Sequence, residues 1–409
     1  MRARLWKLGL GTLVAQLFNF VALPFLTHIF RPEAYSGYLL CMTISGLILP
    51  LVTFKLDIGI TTATERQLQL NLFILIIKYL VLALIFTSIP LMFSSIGYES
   101  NSINPFLKNL FYVLIILLLQ VLTVMGIGLA IYKDNVNKVS TVAIIQNFST
   151  AVFQIVFSSF SAVKESLIFG FLVGRIVSLL NLSRIFWDSF SHNASEANAK
   201  ISLAYLKSRK YLVLAAFADG ANLSLPLLCC FIVLSKSQIS LLGISQTLLL
   251  APVTLINSTI TNSLLSRFGS QVENKDFDRS SNATLKKIWL FVIGASIAVA
   301  IIEIIACNLG LINLLGKSWS QTSSVILVLI FPFAIQIGVN PLISIMYLRS
   351  AWKEYFVFNF LALITGFVTF LICWYLDISW VVTATSFFMG RSIFWLVVGI
   401  HAFNREWGV

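Results

Sequence analysis

A chain of 409 residues that is 58% hydrophobic and only 11% charged, with a mean hydropathy of +0.92, lacks the charge to coat a soluble domain, where about a quarter of residues are charged. It reads as one integral membrane unit and excludes a set of two or three soluble domains. The net charge of +12 does not mark a nucleic-acid binder, because the basic residues sit in short gaps between apolar runs and not along one amphipathic face.

In chain order, Met1-Arg2-Ala3-Arg4 precedes an apolar run to Phe30 that is too long for a signal peptide and has no small-residue cleavage site, so it is read as the first helix. A bilayer core about 30 Å thick needs about 20 apolar residues per helix. Runs of that kind are expected at 8–30, 38–59, 72–93, 109–132, 139–160, 166–187, 211–235, 239–264, 286–307, 322–347, 354–375 and 379–402. With a cytoplasmic N-terminus, 20 of the 28 Lys/Arg fall in or beside cytoplasmic segments. Five (Arg31, Lys108, Lys164, Lys236, Lys317) lie on the other side and three at mid-span. The positive-inside rule therefore places both termini, and the long loops Asp188 to Lys210 and Leu265 to Lys287, in the cytoplasm. Every external loop is short, which leaves no room for an extracytoplasmic catalytic domain.

The Ser-, Asn- and Ala-rich stretch 188–210, ending in Lys207, Arg209 and Lys210, divides the spans six and six. The expected organisation is an N-terminal lobe 1–187, a cytoplasmic linker 188–210 and a C-terminal lobe 211–409. A weak internal repeat agrees: Gln16, Asn19 and Pro24 in span one match Asp219, Asn222 and Pro226 in span seven, and Gly37 before Pro50 matches Gly243 before Pro252. Lobes repeated in this way rock against each other in many transporters. Pro24, Pro50, Pro226, Pro252, Pro332 and Pro341 are the expected hinges or helix breaks.

Five ionisable residues fall at membrane depth: Lys78, Arg175, Asp219, Glu303 and Arg391. Each costs about 2.5–3.5 kcal/mol at a helix centre, so most are expected to face a wet cavity or one another. Simpler roles compete: Lys78 can snorkel, Arg175 can pair with Glu165 or a carbonyl, and Glu303 lies near a helix end. Asp219, Asn222 and Pro226 fall at i, i+3 and i+7, which puts a carboxylate, an amide and a helix break on one face. Gln16, Asn19, Gln120, Gln146, Asn147, Gln154, Gln246, Asn257, Gln336 and Asn340 form polar stripes suited to sugar hydroxyls or, equally, to interhelical hydrogen bonds. Gly170 and Gly174 form a GxxxG pair assigned to helix packing. The five cysteines lie inside apolar runs, odd in number and without metal spacing, and read as small packing residues. No G-x-x-x-x-G-K-[ST] sequence occurs, so no ATP-driven motor is expected in the chain. His28, His192 and His401 are too scattered for a metal site or a triad. No cofactor or metal is expected.

Several segments then carry a family resemblance. They are Pro32-Glu33-Ala34-Tyr35-Ser36-Gly37 before span two, Phe54-Lys55-Leu56-Asp57-Ile58-Gly59-Ile60 at its end, and the basic approach from Lys207 into span seven with Asn222 and Pro226. Gly243 and Pro252 in span eight, and Leu315-Gly316-Lys317-Ser318-Trp319 followed by Pro332, Gln336 and Pro341, complete the set. Across essentially its whole length the chain resembles the polysaccharide (O-antigen) flippases of the multidrug/oligosaccharidyl-lipid/polysaccharide exporter superfamily. Ser36 is an extra residue in the first motif, and Gly59 stands where Ala is commoner. The resemblance implies an all-α integral membrane fold of about twelve helices in two pseudo-symmetric six-helix bundles around a central cavity, lined mainly by spans one, two, seven and eight. It further implies a non-enzymatic flippase in the bacterial inner membrane. Its substrate is an undecaprenyl-pyrophosphate-linked oligosaccharide moved from the cytoplasmic to the periplasmic leaflet by alternating access, for O-antigen or other surface polysaccharide. Expected partners are that lipid-linked oligosaccharide, membrane lipids and the polysaccharide polymerase and chain-length machinery, with no nucleic acid.

On this reading Arg175, Lys78 and Arg391 make the passage cationic, and Gln16, Asn19 and Asn222 contact sugar hydroxyls. Asp219 and Glu303 are the candidates for ion coupling. The alternatives are an ion-coupled drug or small-molecule exporter of the same superfamily, in which acids would outnumber bases, and a membrane polysaccharide polymerase, which needs a sizeable external loop.

Overall fold

Apolar stretches this long have one stable form in lipid, because every backbone N–H and C=O must find its partner within the segment. The computed structural model describes residues 2–53, 74–82, 104–133, 135–160, 164–190, 210–273, 279–348 and 352–407, and helices occupy nearly all of them. In chain order they are α1 (Arg2–Ile29), α2 (Pro32–Thr53), α3 (74–82), α4 (Asn104–Tyr132), α5 (Val136–Phe160) and α6 (Lys164–Phe190). The second half holds α7 (Lys210–Val233), α8 (Lys236–Glu273), α9 (Arg279–Asn308), α10 (Thr322–Leu348), α11 (Trp352–Tyr375) and α12 (Trp380–Trp407). Among the described residues, eleven helices are long and apolar enough, by length and composition, to cross a membrane. The twelve expected spans each coincide with a helix, although the outer part of span three lies outside the described residues. So do the 54–60 motif, Lys207 and Arg209.

One expectation changes. The segment Leu265 to Lys287, read as a loop, is helical at both ends, since α8 continues to Glu273 and α9 begins at Arg279. At 1.5 Å per residue the 38-residue α8 is about 57 Å long, well beyond the hydrocarbon core. A helix that has left the lipid needs no apolar side chains to persist, only the absence of a breaker, and no proline follows Pro252 within α8.

The helices gather into two compact units, residues 10–225 and residues 226–409 together with 1–9. In the first, a core centred on Ile76, Leu117, Val121, Met125 and Leu182 joins α2, α3, α4, α5 and α6. Helix α1 lies on α5 through Gly11 against Ser140 and an edge-to-face contact of Phe18 with Phe148 at 5.0 Å. Helices α5 and α6 approach more closely. A Cβ on Gly170 would press on the backbone nitrogen of Gln154, and one on Gly174 would lie 2.8 Å from that of Thr150. The GxxxG pair therefore serves helix packing, as its spacing predicts. Near the start of α6, the Lys164 stem runs over Gly37 of α2, and its Nζ donates to Asn109 Oδ1 of α4 at 2.7 Å. Gly37 leaves room for that stem, since a Cβ would stand 2.5 Å from Lys164 Cδ. The first half of α7 packs on α2, with Gly220 receiving the Pro50 ring and Gly46 facing Ser224 Oγ.

In the second unit, Ser245 of α8 donates to the Thr322 carbonyl at the start of α10 (3.4 Å). Trp289 Nε1 and Ser296 Oγ of α9 donate to the Gly338 and Ala334 carbonyls of α10 at 3.0 and 2.6 Å. Helices α11 and α12 cross with Gly366 against the Phe387 backbone and Gly390 against Thr369, beside a core of Val339, Phe358, Ala362 and Trp395. Two short 3-10 turns, Leu311–Leu315 and Lys317–Trp319, join α9 to α10. Gly316 sits between them at φ +92°, a conformation open mainly to glycine, and Trp319 is buried. The Leu-Gly-Lys-Ser-Trp motif is thus a turn anchored by its tryptophan.

Candidate intramembrane polar sites

The helix phase of α6 sets the environment of Arg175. Phe171, Ser178 and Leu182 share its stripe and are buried, whereas Phe169, Ile176 and Leu180 on the opposite stripe are exposed. Arg175 is therefore carried on the side of α6 that meets other helices, yet it remains partly exposed. Its Nη1 donates to Gln146 Oε1 of α5 at 3.0 Å, and the guanidinium lies 5.0 Å from the centroid of the Phe171 ring. Its Nε is buried without an acceptor. Tyr38 of α2, hydrogen-bonded to Gln154, lies within the electrostatic reach of this charge. The expected alternative, a pair with Glu165, is not formed: Glu165 lies ten residues back along the same helix, about 15 Å away at 1.5 Å per residue. The partner is a neutral amide, which leaves the positive charge uncancelled.

Arg391 of α12 is the largest charged group sealed inside the second unit, at 0% exposure. Its Nη2 donates to Gln336 Oε1 of α10 at 3.1 Å, and its guanidinium lies 4.6 Å from the Trp395 ring and 5.4 Å from the Phe388 ring. Ser392 adds a bond to the Pro332 carbonyl at 3.2 Å. The first unit thus brings Arg175 and Gln146 together, and the second brings Arg391 and Gln336 together.

The other expected residues are dispersed. Lys78 is exposed on α3, on a stripe with exposed Val81 and Leu82 and away from buried Ile76 and Leu80. Gln16 is partly buried and Asn19 exposed on α1. Asn222 is 1% exposed on α7, with Asp219 partly buried beside it. Glu303 shares an i, i+7, i+14 stripe of α9 with Trp289 and Ser296, the residues that bond to α10, and is partly buried while Ile301, Ile302, Ile304 and Ile305 are exposed. Pro24, Pro50, Pro226 and Pro252 lie inside continuous helices, as do Pro332 and Pro341 within α10. The Pro341 and Asn340 side chains lie outside the described residues. All five cysteines are free thiols.

Sequence reasoning placed Gln146 and Gln336 in generic amide stripes without pairing them to the arginines, and it passed over Tyr38. A signal was present: Phe171-Leu172-Val173-Gly174-Arg175 recurs as Phe387-Phe388-Met389-Gly390-Arg391.

No protein-family model and no curated protein sequence matches the chain. Solved structures do match in fold. A MATE transporter in complex with MaL6 superposes with a TM-score of 0.68 at 12% identity, covering 98% of this chain and 94% of that one. The lipid II flippase MurJ, in an inward closed conformation, gives a TM-score of 0.64 at 15% identity over 97% of this chain and 87% of that one. An outward-facing multidrug resistance MATE family transporter of the MOP superfamily gives 0.62 at 13% identity over 98% and 94%. The chain is an all-α, multi-helix membrane protein with the fold shared by MATE transporters and MurJ.

Proposed function

We propose that the chain is a transporter that flips undecaprenyl-pyrophosphate-linked oligosaccharide repeat units from the cytoplasmic to the periplasmic leaflet of the inner membrane, for O-antigen or another surface polysaccharide. The observation that carries this reading is Arg175, a guanidinium at membrane depth on a helix-facing stripe, held by the neutral Gln146 amide. The glycan and pyrophosphate cannot enter hydrocarbon unaided, because each unsatisfied polar group there costs several kcal/mol. A cationic, amide-lined passage removes much of that penalty while the prenyl tail stays in lipid. Lys78 and Arg391 add to the positive field, Gln16, Asn19 and Asn222 meet sugar hydroxyls, and the lobes 1–187 and 211–409 rock about the proline-bearing helices. Asp219 and Glu303 couple transport to an ion gradient.

The fold likeness to MATE structures favours a second reading equally well: an ion-coupled exporter of drugs or other small molecules, with Asp219 and Glu303 as its working groups.

The test is to delete the gene and extract prenyl-linked oligosaccharides, with a sugar-modifying probe applied to spheroplasts to report their side. Accumulation of complete units on the inner side, relieved by the gene and not by an Arg175→Ala variant at equal protein level, is the expected result. Accessible single units on the outer side would point to polymerisation. No accumulation, with increased drug susceptibility, would establish the exporter reading.

A further inference from the structure

The charges near the two ends of α6 mark its depth. Lys164 and Arg184 stand 20 residues apart, about 30 Å at 1.5 Å per residue, which is the thickness of the hydrocarbon layer. With Lys164 at one boundary, Arg184 lies at the other, level with the phosphates of the leaflet that the basic residues assign to the cytoplasm. The stripe leading to it faces outward: Ile176 is 46%, Leu180 68% and Trp187 76% exposed, and Arg184 is exposed among them. Residues 176, 180, 184 and 187 follow at steps of four, four and three and so share one side of the helix. A second stripe, Ser178, Leu182, Ile185 and Ser189, is buried.

A second cation comes from the neighbouring helix. Lys133, the residue after α4, is exposed, and its Nζ donates to the Ile185 carbonyl at 3.5 Å. That carbonyl belongs to the residue directly after Arg184, so an ammonium and a guanidinium from two helices converge on one helix end. An ammonium has three donors, and the carbonyl takes one of them, which leaves the others for an oxyanion. Trp187, one turn beyond Arg184, sets an amphipathic ring at the depth where indoles settle between headgroup and chain. Leu180 and Ile176 continue the track into the hydrocarbon. Asp188, exposed one turn after Arg184, is spaced to compete for the guanidinium.

We infer that Lys133 and Arg184 form a headgroup site for an anionic phospholipid, with Trp187, Leu180 and Ile176 receiving its glycerol and acyl portions. The occupant is a lipid and not a soluble phosphate, because two cations stand at the head of an outward apolar stripe and a phospholipid is complementary to both parts. The site lies on the outer surface of the first unit and stands whichever substrate the chain carries.

The test titrates the purified full chain in neutral detergent with short-chain phosphatidylglycerol, reading the ligand-free thermal midpoint and the apparent Kd separately. Saturable stabilisation is expected, about tenfold tighter than with phosphatidylcholine of the same chain length, whose trimethylammonium opposes the two cations. Arg184→Gln alters an exposed side chain and is expected to weaken binding about fivefold with the ligand-free midpoint little changed. Lys133→Gln is expected to weaken it as much, with a lower midpoint from the lost tie to Ile185. Asp188→Asn is expected to tighten binding, and Trp187→Ala to weaken both lipids alike. Lys138→Gln removes a cation at the same end of α5 and is expected to leave the Kd within about twofold. Wild-type affinity in Arg184→Gln overturns the site. Equal losses in Arg184→Gln and Lys138→Gln overturn it too, because they report diffuse surface charge only. Glycerol phosphate stabilising the chain as well as phosphatidylglycerol does would assign a soluble anion and overturn the lipid. Equal affinity for the two phospholipids would overturn the charge selection on which the site rests.

Discussion

At the scale of single residues, glycines decide how near the polar groups can come. Gly174 brings α6 so close to α5 that a Cβ would lie 2.8 Å from the Thr150 backbone nitrogen, and that approach sets Arg175 within reach of Gln146. Backbone cannot yield as a side-chain tip can, so Gly174→Ala is expected to part the helices and lower stability by about 1–3 kcal/mol, read as a lower thermal midpoint in detergent. Gly294 faces open space, with no neighbouring heavy atom within 4 Å of where a Cβ would stand, so Gly294→Ala is the control expected to shift the midpoint little. The sequence announced the arginines through their cost at membrane depth and gave the GxxxG pair its role. It did not announce the partners, since Gln146 and Gln336 lie 29 and 55 residues away, and only the relative phase of two helices selects one amide from a stripe of ten.

At the scale of elements, contacts at helix ends explain motifs that were only patterns in the sequence. Gly37 opens a channel for the Lys164 stem, which reaches Asn109 and links α2, α4 and α6. Lys164→Met keeps the stem and removes the bond. It is expected to cost about 1 kcal/mol, and a double-mutant cycle with Asn109→Ala should show a coupling of about 0.5–3 kcal/mol by thermal unfolding. Gly316, at φ +92° between the two 3-10 turns, is the second case. Gly316→Ala forces a side chain into a positive-φ, extended conformation that is almost glycine-only, at about 1–3 kcal/mol, expected as a lowered thermal midpoint in detergent. Element existence was legible because twenty apolar residues in lipid have little choice but a helix. The helical extension of α8 to Glu273 was not, because beyond the hydrocarbon hydropathy no longer separates helix from loop.

At the scale of the whole molecule, the charge distribution predicts orientation. With 20 of 28 basic residues assigned to one side, reporters fused within 191–209 and after Val409 are expected to report the cytoplasm, and one in the 310–321 connection the opposite side. Reversal in all three would overturn the flipping direction proposed above. The sequence by itself determined the membrane class and the succession of long apolar helices, because those follow from local composition and from the thickness of the solvent. Only the tertiary structure decided that Arg391 is sealed between rings while Arg175 stays partly exposed, and that Lys78 shares a stripe with exposed Val81 and Leu82. The reason is physical: in a helix apolar on nearly every side, periodicity does not say which face meets lipid, and that is fixed only when backbones touch at glycine crossings and turn each helix to one angle about its axis.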